Sequence, residues 1–166
     1  MNEDILQDWD ANRGNWKSCG VLFLYRLAQS IQRQETPLRW LGCPIVLVYV
    51  LLVEWGMGIE LNLKSRIGPG LHLYHGVGLV IHEAVVIGEN CTLRHGTTLG
   101  AKNGPEDCPV LGDNVDVGCQ SVLMGRIRIG DGAVIGAGSV VLHDVAPGDV
   151  VAGNPARSLK KPDDAV

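Results

Sequence analysis

From Ile67 onward a branched aliphatic residue recurs at every sixth position, usually with glycine after it: Ile67-Gly68, Leu73, then Ile81, Ile87-Gly88, Leu93 and Leu99-Gly100. The beat resumes at Leu111-Gly112, Val117-Gly118, Leu123, Ile129-Gly130, Ile135-Gly136 and Val141. Four residues into most hexads stands a second small or apolar residue, the set being Leu71, Val77, Val85, Cys91, Thr97, Val115, Ser121, Ile127, Ala133, Ser139 and Val145. An amphipathic helix repeats about every 3.6 residues and a half-buried strand every second one, so neither carries this beat. Short strands joined by tight turns do. Each hexad then sends its aliphatic residue into a narrow bore, and three hexads close one triangular coil. The pattern predicts a mainly β chain, a left-handed parallel β-helix over residues 58–146. A short α-helical region, residues 1–57, precedes it, and a turn and tail, residues 147–166, follow.

Two departures from the beat mark places where function collects. Leu73 and Ile81 are eight positions apart instead of six, and His75 lies between them. Two extra residues must bulge a strand or corner outward, and bulges re-aim side chains beside active sites. Between Leu99 and Leu111 the Pro- and Gly-containing segment 101–109 replaces one hexad and predicts a protruding loop. The 22 glycines and the aromatic content of 5% suit corners with positive φ around a bore too narrow for rings.

Ahead of the beat, Val21, Leu22, Leu24, Tyr25, Ala28 and Ile31 stand at helical spacing. Thr36-Pro37 reads as an N-cap with proline at the first helical position, so two or three helices are expected. The run from Leu41 to Val53 is apolar on all sides apart from Gly42 and Pro44. It is shorter than the roughly 20 residues a membrane span needs. It reads as a helix buried against the coil or a neighbouring subunit, with peripheral membrane contact through residues 41–53 as the alternative. A net charge of −4 and the lack of a basic patch argue against a nucleic-acid partner. The five cysteines (Cys19, Cys43, Cys91, Cys108, Cys119) are odd in number, share no metal-type spacing and read as reduced thiols, Cys91 in the core. No cleavable signal is visible at the acidic N-terminus, so a cytoplasmic protein is expected, at most peripheral to the inner face of the membrane.

Five histidines are candidates for acid–base work: His72, His75, His82, His95 and His143. Free imidazole titrates at about 6.5, near neutrality. His75 stands apart, because it occupies the lengthened interval and because Glu60 precedes it by fifteen residues. With about eighteen residues per coil and rungs about 4.8 Å apart, the two fall on adjacent rungs, three positions out of phase. That spacing is compatible with a carboxylate orienting an imidazole. His95 is the second choice, as a cleft-wall residue. His72 and His82 read as solvent-facing, and His143 as a capping or interface residue. The histidines show no pattern of three converging on a metal, so no metal site is expected.

The stretches Ile67-Gly68-Pro69-Gly70, His75-Gly76-Val77-Gly78, Thr97-Thr98-Leu99-Gly100, Cys108-Pro109, Ile135-Gly136-Ala137-Gly138-Ser139-Val140-Val141 and Gly153-Asn154-Pro155-Ala156-Arg157 together resemble the serine acetyltransferase branch of the hexapeptide-repeat acyltransferases. The resemblance implies acetyl-CoA as donor, a homotrimer with active sites between protomers, and direct transfer. His75 matches the family's catalytic histidine, which deprotonates the acceptor hydroxyl. Glu60 stands where the family carries its partner aspartate. Tyr74 replaces the aspartate that precedes the histidine in serine enzymes, and Cys108 replaces the loop histidine that helps hold serine. With Glu at position 60, Cys-Pro in the loop and a short apolar N-terminus, the chain is more similar to the polysaccharide-biosynthesis members, such as the colanic acid acetyltransferases.

Tyr74, His95 and Cys108 are accordingly the expected acceptor-cleft residues. By the same resemblance Gly100, Ala101, Gly118, Gly136, Ala137 and Gly153 form the wall along the pantetheine arm. Arg157 and Lys160, with Lys161 beside it, meet the nucleotide phosphates. The expected function is acetyl-CoA-dependent O-acetylation of a sugar hydroxyl in exopolysaccharide biosynthesis. Serine O-acetylation is the alternative. A different small hydroxylated acceptor, a zinc hydro-lyase of the carbonic anhydrase kind and a non-catalytic β-helix scaffold complete the readings.

Overall fold

In a computed structural model, which describes residues 4–34 and 38–159, the hexads form a three-faced solenoid. The first face stacks Glu60–Leu61, Val80–Ile81, Thr98–Gly100, Val122–Met124 and Val140–Val141, all parallel. The second stacks Arg66–Ile67, Val86–Ile87, Val110–Leu111 and Arg128–Ile129. The third stacks His72–Tyr74, Thr92–Arg94, Asp116–Val117, Val134–Ile135 and Val150–Gly153, and the last of these folds back on Ala156–Ser158 as an antiparallel pair. Ser158, within the expected turn and tail of residues 147–166, therefore belongs to a strand.

The aliphatic beat supplies the core. Leu61, Ile81, Leu99, Leu123 and Val141 stack inside the first face, and Leu73, Leu93, Val117, Ile135 and Val151 inside the third, all buried. The small residues Cys91, Thr97, Ser121, Ala133 and Ser139 fill the corners between them, also buried. The glycine that follows the aliphatic residue has a steric cause. A Cβ on Gly118 would collide with the backbone nitrogen of Ala137, and one on Gly130 with that of Pro147.

Register locates both departures from the beat. Val80 pairs with Thr98 and Val122 with Val140, eighteen positions apart, whereas Glu60 pairs with Val80 and Thr98 with Val122 across longer intervals. The first interval is the His75 bulge. Its backbone is left-handed at His75 (φ 65°), Gly76 (φ 55°) and Gly78 (φ 73°). Two tight turns follow in succession, Gly76 N–H donating to Tyr74 O at 2.9 Å and Val77 N–H to His75 O at 2.6 Å. The extra residues shift the inward position. Val77, expected in the core, is 62% exposed, and Leu79 is fully buried in its stead. The second interval is the 101–109 loop, which Asp107 ties down by accepting from the backbone and side-chain nitrogens of Asn103.

The N-terminal region caps the lower end of the solenoid. It comprises a 3-10 turn (Asp10–Asn12), helix α1 (Trp16–Gln32), a short α2 (Leu38–Leu41), α3 (Cys43–Tyr49) and a π-helical turn (Val50–Gly56) that continues α3. Asn15 caps α1, its side chain accepting from Ser18 N–H at 3.3 Å. The expected Thr36-Pro37 cap lies outside the described residues. A first coil has no coil beneath it, so its backbone groups must find other partners. Side chains from the helical region supply them. Asn12 donates to Leu71 O and accepts from Leu73 N–H, Ser18 donates to Leu73 O, Gln29 to Leu63 O and Ser65 O, and Tyr49 to Leu61 O. Buried Arg26 reaches Ile67 O and Gly68 O at 2.8 Å each while pairing with the buried Asp8 carboxylate, also at 2.8 Å. Among the described residues no buried side-chain polar atom lacks a partner.

The apolar run of residues 41–53 is two-sided. Tyr49 and Val53 are buried and Val46 and Val50 pack on the core, while Leu41, Leu47, Leu51 and Leu52 are exposed. Among the described residues no helix is long and apolar enough to cross a membrane.

Candidate active site

His75 projects at the edge where the third face turns into the first. A non-glycine residue at positive φ costs energy, and here it turns the imidazole out of the ladder toward the helical cap. The ring lines a pocket of about 430 Å³ formed by α1, the end of the π-helical turn and the bulge. Asn15, Lys17 and Ser18 give this pocket its polar character; Val21, Ile59, Leu73 and Val77 give its apolar wall.

His95 stands one coil above His75, with 6.2 Å between ring centroids and the planes edge to face. The backbone carries the stack further along this edge. His95 N–H donates to Tyr74 O, Gln120 N–H to His95 O, and Gly138 N–H to Cys119 O. Gly118, Gly136, Ala137 and Gly153 lie on the same edge, above the two histidines. The structure thus brings most of the expected donor wall into line with His75. It also gives two of those residues an internal reason to be glycine, since a Cβ on Gly136 would stand 2.8 Å from Ala152 Cβ and Gly118 is crowded as described.

Other expected residues lie elsewhere. Gly100 and Ala101 sit where the first face runs into the 101–109 loop, and Gly100 O accepts from Gly125 N–H at 3.1 Å. Arg157 is exposed beside a concavity of about 220 Å³ that it shares with His143 and Asp144. Lys160 and Lys161 fall outside the described residues. Glu60 lines its own concavity of about 180 Å³ with Glu54, Trp55 and Asn62, and among the described residues it makes no hydrogen bond to His75. Burial first, then the neighbouring Glu60 charge, raise the Glu54 carboxyl above the usual range.

Tyr74 is half-exposed on the outer surface of the third face. His72 lies against it at 4.2 Å between centroids, and the Arg94 guanidinium covers its ring at 5.3 Å while pairing with Asp116. Partial burial, and then the Arg94 charge, lower the His72 pKa; Asp116 opposes them. Cys108 is buried, with its Sγ 3.2 Å from His82 Nδ1 and 3.6 Å from Pro105 O. Burial raises its thiol pKa, and Asp107 and Glu106 add to the effect. His82, expected to face solvent, is instead half-buried in this contact and accepts from Ala84 N–H. Nothing in the hexad pattern announced the His82–Cys108 pair, because the loop that carries Cys108 is outside the repeat. Among the described residues no cluster of side chains could hold a metal ion.

The bacterial transferase hexapeptide (six repeats) family matches residues 108–143. WcaB of Escherichia coli, provisionally assigned as a colanic acid biosynthesis acetyltransferase, is 33% identical over 157 residues, which cover 92% of this chain and 97% of that protein. The chain belongs to the hexapeptide-repeat acetyltransferases. The serine acetyltransferase of Helicobacter pylori is 34% identical over 167 residues, 96% of this chain and 94% of that one. The soybean serine acetyltransferase apoenzyme superposes with a TM-score of 0.80 at 33% identity, covering 93% of this acetyltransferase and 67% of the soybean chain. A serine acetyltransferase complexed with CoA superposes at 0.72 with 26% identity. Acetyl-CoA is thus the donor class for this acetyltransferase. Its short N-terminal region does not separate sugar from amino-acid acceptors, since the chain spans nearly all of both the WcaB and the Helicobacter proteins.

Proposed function

We propose that this acetyltransferase moves the acetyl group of acetyl-CoA to a sugar hydroxyl in exopolysaccharide assembly, with His75 as general base. The observation that carries the reading is the lining of the His75 pocket. Its polar side chains are Asn15, Lys17 and Ser18, with no carboxylate among them. A bound serine brings an ammonium group that needs an anion, whereas a sugar brings neutral hydroxyls suited to amide and hydroxyl partners. Tyr74, in the position the serine enzymes give to aspartate, supports the same reading.

The chemistry is a direct transfer. The His75 ring takes the proton of the acceptor hydroxyl as its oxygen attacks the thioester carbonyl. The tetrahedral intermediate collapses, the C–S bond breaks, and the CoA thiolate recovers the proton from the imidazolium. Small residues at Gly118, Gly136 and Ala137 leave room for the pantetheine arm, and Arg157 and Lys160 offer cations for the nucleotide phosphates. In a homotrimer this edge faces the neighbouring protomer, whose Gly100, Ala101 and Cys108 complete the cleft beside His95 and Tyr74. The exposed side of residues 41–53 suits peripheral contact with the cytoplasmic face of a membrane.

The Helicobacter match favours serine as the second reading. A screen with acetyl-CoA that follows free thiol separates the two. Serine, simple hexoses, deoxyhexoses and lipid-linked sugars are offered at equal concentration. A sugar is expected to be the fastest acceptor; serine outpacing every sugar overturns the proposal.

A further inference from the structure

We infer that the His75 pocket continues into an apolar channel that holds the hydrocarbon chain of the acceptor, so that the sugar is presented on an anionic lipid carrier. This rests on the sugar-acceptor reading above. A second concavity, of about 380 Å³, adjoins the His75 pocket and shares Lys17, Val21, Gly56 and Met57 with it. Past that shared stretch the wall consists of Trp16, Gly20, Leu24, Leu52 and Val53. Polarity therefore falls steadily from His75, Asn15 and Ser18 at one end to an apolar trough between α1 and the π-helical turn at the other.

Lys17 stands at the junction. Its ammonium lies 5.8 Å from the Trp16 ring, and among the described residues it has no ion-pair partner. Hydroxyl-bearing head, anion and hydrocarbon chain, in that order, are the parts of a glycosyl lipid phosphate, and the groove offers base, cation and apolar wall in the same order. A free sugar or a free amino acid would use the first part alone and leave Trp16, 77% exposed, and Leu52, 56% exposed, facing water. A second copy of the chain would also cover the trough. It has no need of a cation that, among the described residues, lacks an ion-pair partner at the mouth of the catalytic pocket, and it would obstruct entry to His75.

The test is binding, independent of turnover. Titration calorimetry of the full chain with farnesyl phosphate, below its micelle concentration, is compared with farnesol and with inorganic phosphate. One farnesyl phosphate per chain is expected, bound at least about tenfold more tightly than either part alone. Leu52→Glu, at an exposed position, is expected to weaken farnesyl phosphate by about tenfold or more, and Lys17→Ala to remove its advantage over farnesol. Trp16→Ala repeats the first test at the opposite wall, and thermal midpoints verify that each variant is folded. Equal binding of farnesyl phosphate to wild type and all three variants overturns the channel. So does an assembly that Leu52→Glu dissociates without changing farnesyl phosphate affinity, which would assign the trough to a second copy. Either result leaves the sugar reading to its own acceptor screen.

Discussion

The bulge makes His75 a residue whose conformational cost and chemical role can be separated. Its φ of 65° lies in the left-handed region, where a Cβ costs roughly 1–2 kcal/mol. Glycine escapes that cost but adds about 0.5–1 kcal/mol of chain entropy to the unfolded state. The ring is exposed, so truncation removes little packing. His75→Ala keeps the conformational cost and His75→Gly relieves it. The glycine variant should therefore be more stable than the alanine variant by roughly 0.5–1 kcal/mol. In a chain of this length that is about 1–4 °C in melting temperature. Both variants lose the imidazole equally, and turnover should fall by about 10²–10⁴ in each. Urea unfolding of the two proteins, with initial rates of thiol release from acetyl-CoA in the presence of an accepted sugar, reads both quantities. A glycine variant less stable than the alanine variant would show that no conformational cost resides at this position. Turnover above about a tenth of wild type in either would remove the imidazole from the chemistry.

Three other outcomes follow from the same geometry. Arg26→Ala strands the buried Asp8 carboxylate and two carbonyls, and should cost about 3–5 kcal/mol in urea unfolding; a loss below about 1 kcal/mol would mean the cap is held by something else. Glu60 lines a separate concavity with Glu54 and, among the described residues, makes no hydrogen bond to His75, so Glu60→Ala should reduce turnover by less than about twofold; a larger loss would show that its carboxylate reaches the base during turnover. The folded state favours neutral His72, so the unfolded chain binds more protons as pH falls below the free imidazole value of about 6.5. Stability supplied by that difference is full above that value and is lost as pH falls through the lowered folded pKa. His72→Asn should flatten the fall in stability between about pH 7 and 5, and an unchanged slope would contradict the burial of this ring.

The solenoid was legible because its cause is local: one aliphatic residue per hexad must face the bore, and stacking repeats that demand coil after coil. Cys91 and Ala133 are buried as their positions in the hexad required. The lengthened interval at His75 was legible as a fault, but not its direction. The beat alone assigned Val77 to the core, and the left-handed turns at His75 and Gly76 hand that place to Leu79. Phase counting brought Glu60 and His75 to neighbouring rungs without fixing their faces; Glu60 turns outward on the first face, toward Glu54. The cap was the least legible part. Asp8, Asn12, Ser18, Arg26 and Gln29 look like ordinary polar residues on amphipathic segments, and their burial follows from the unpaired backbone of the first coil, which no helix pattern encodes.

The central claim, that His75 faces the thioester across a small-residue edge of the solenoid, is tested most directly by a crystal structure of the protein with acetyl-CoA. The pantetheine arm should run past Gly118, Gly136 and Ala137, with the thioester carbon and the His75 ring separated by the space of one acceptor hydroxyl, about 3 Å from each. A thioester seated instead in the concavity of His143 and Arg157, with no path to the His75 ring from any protomer, would contradict it.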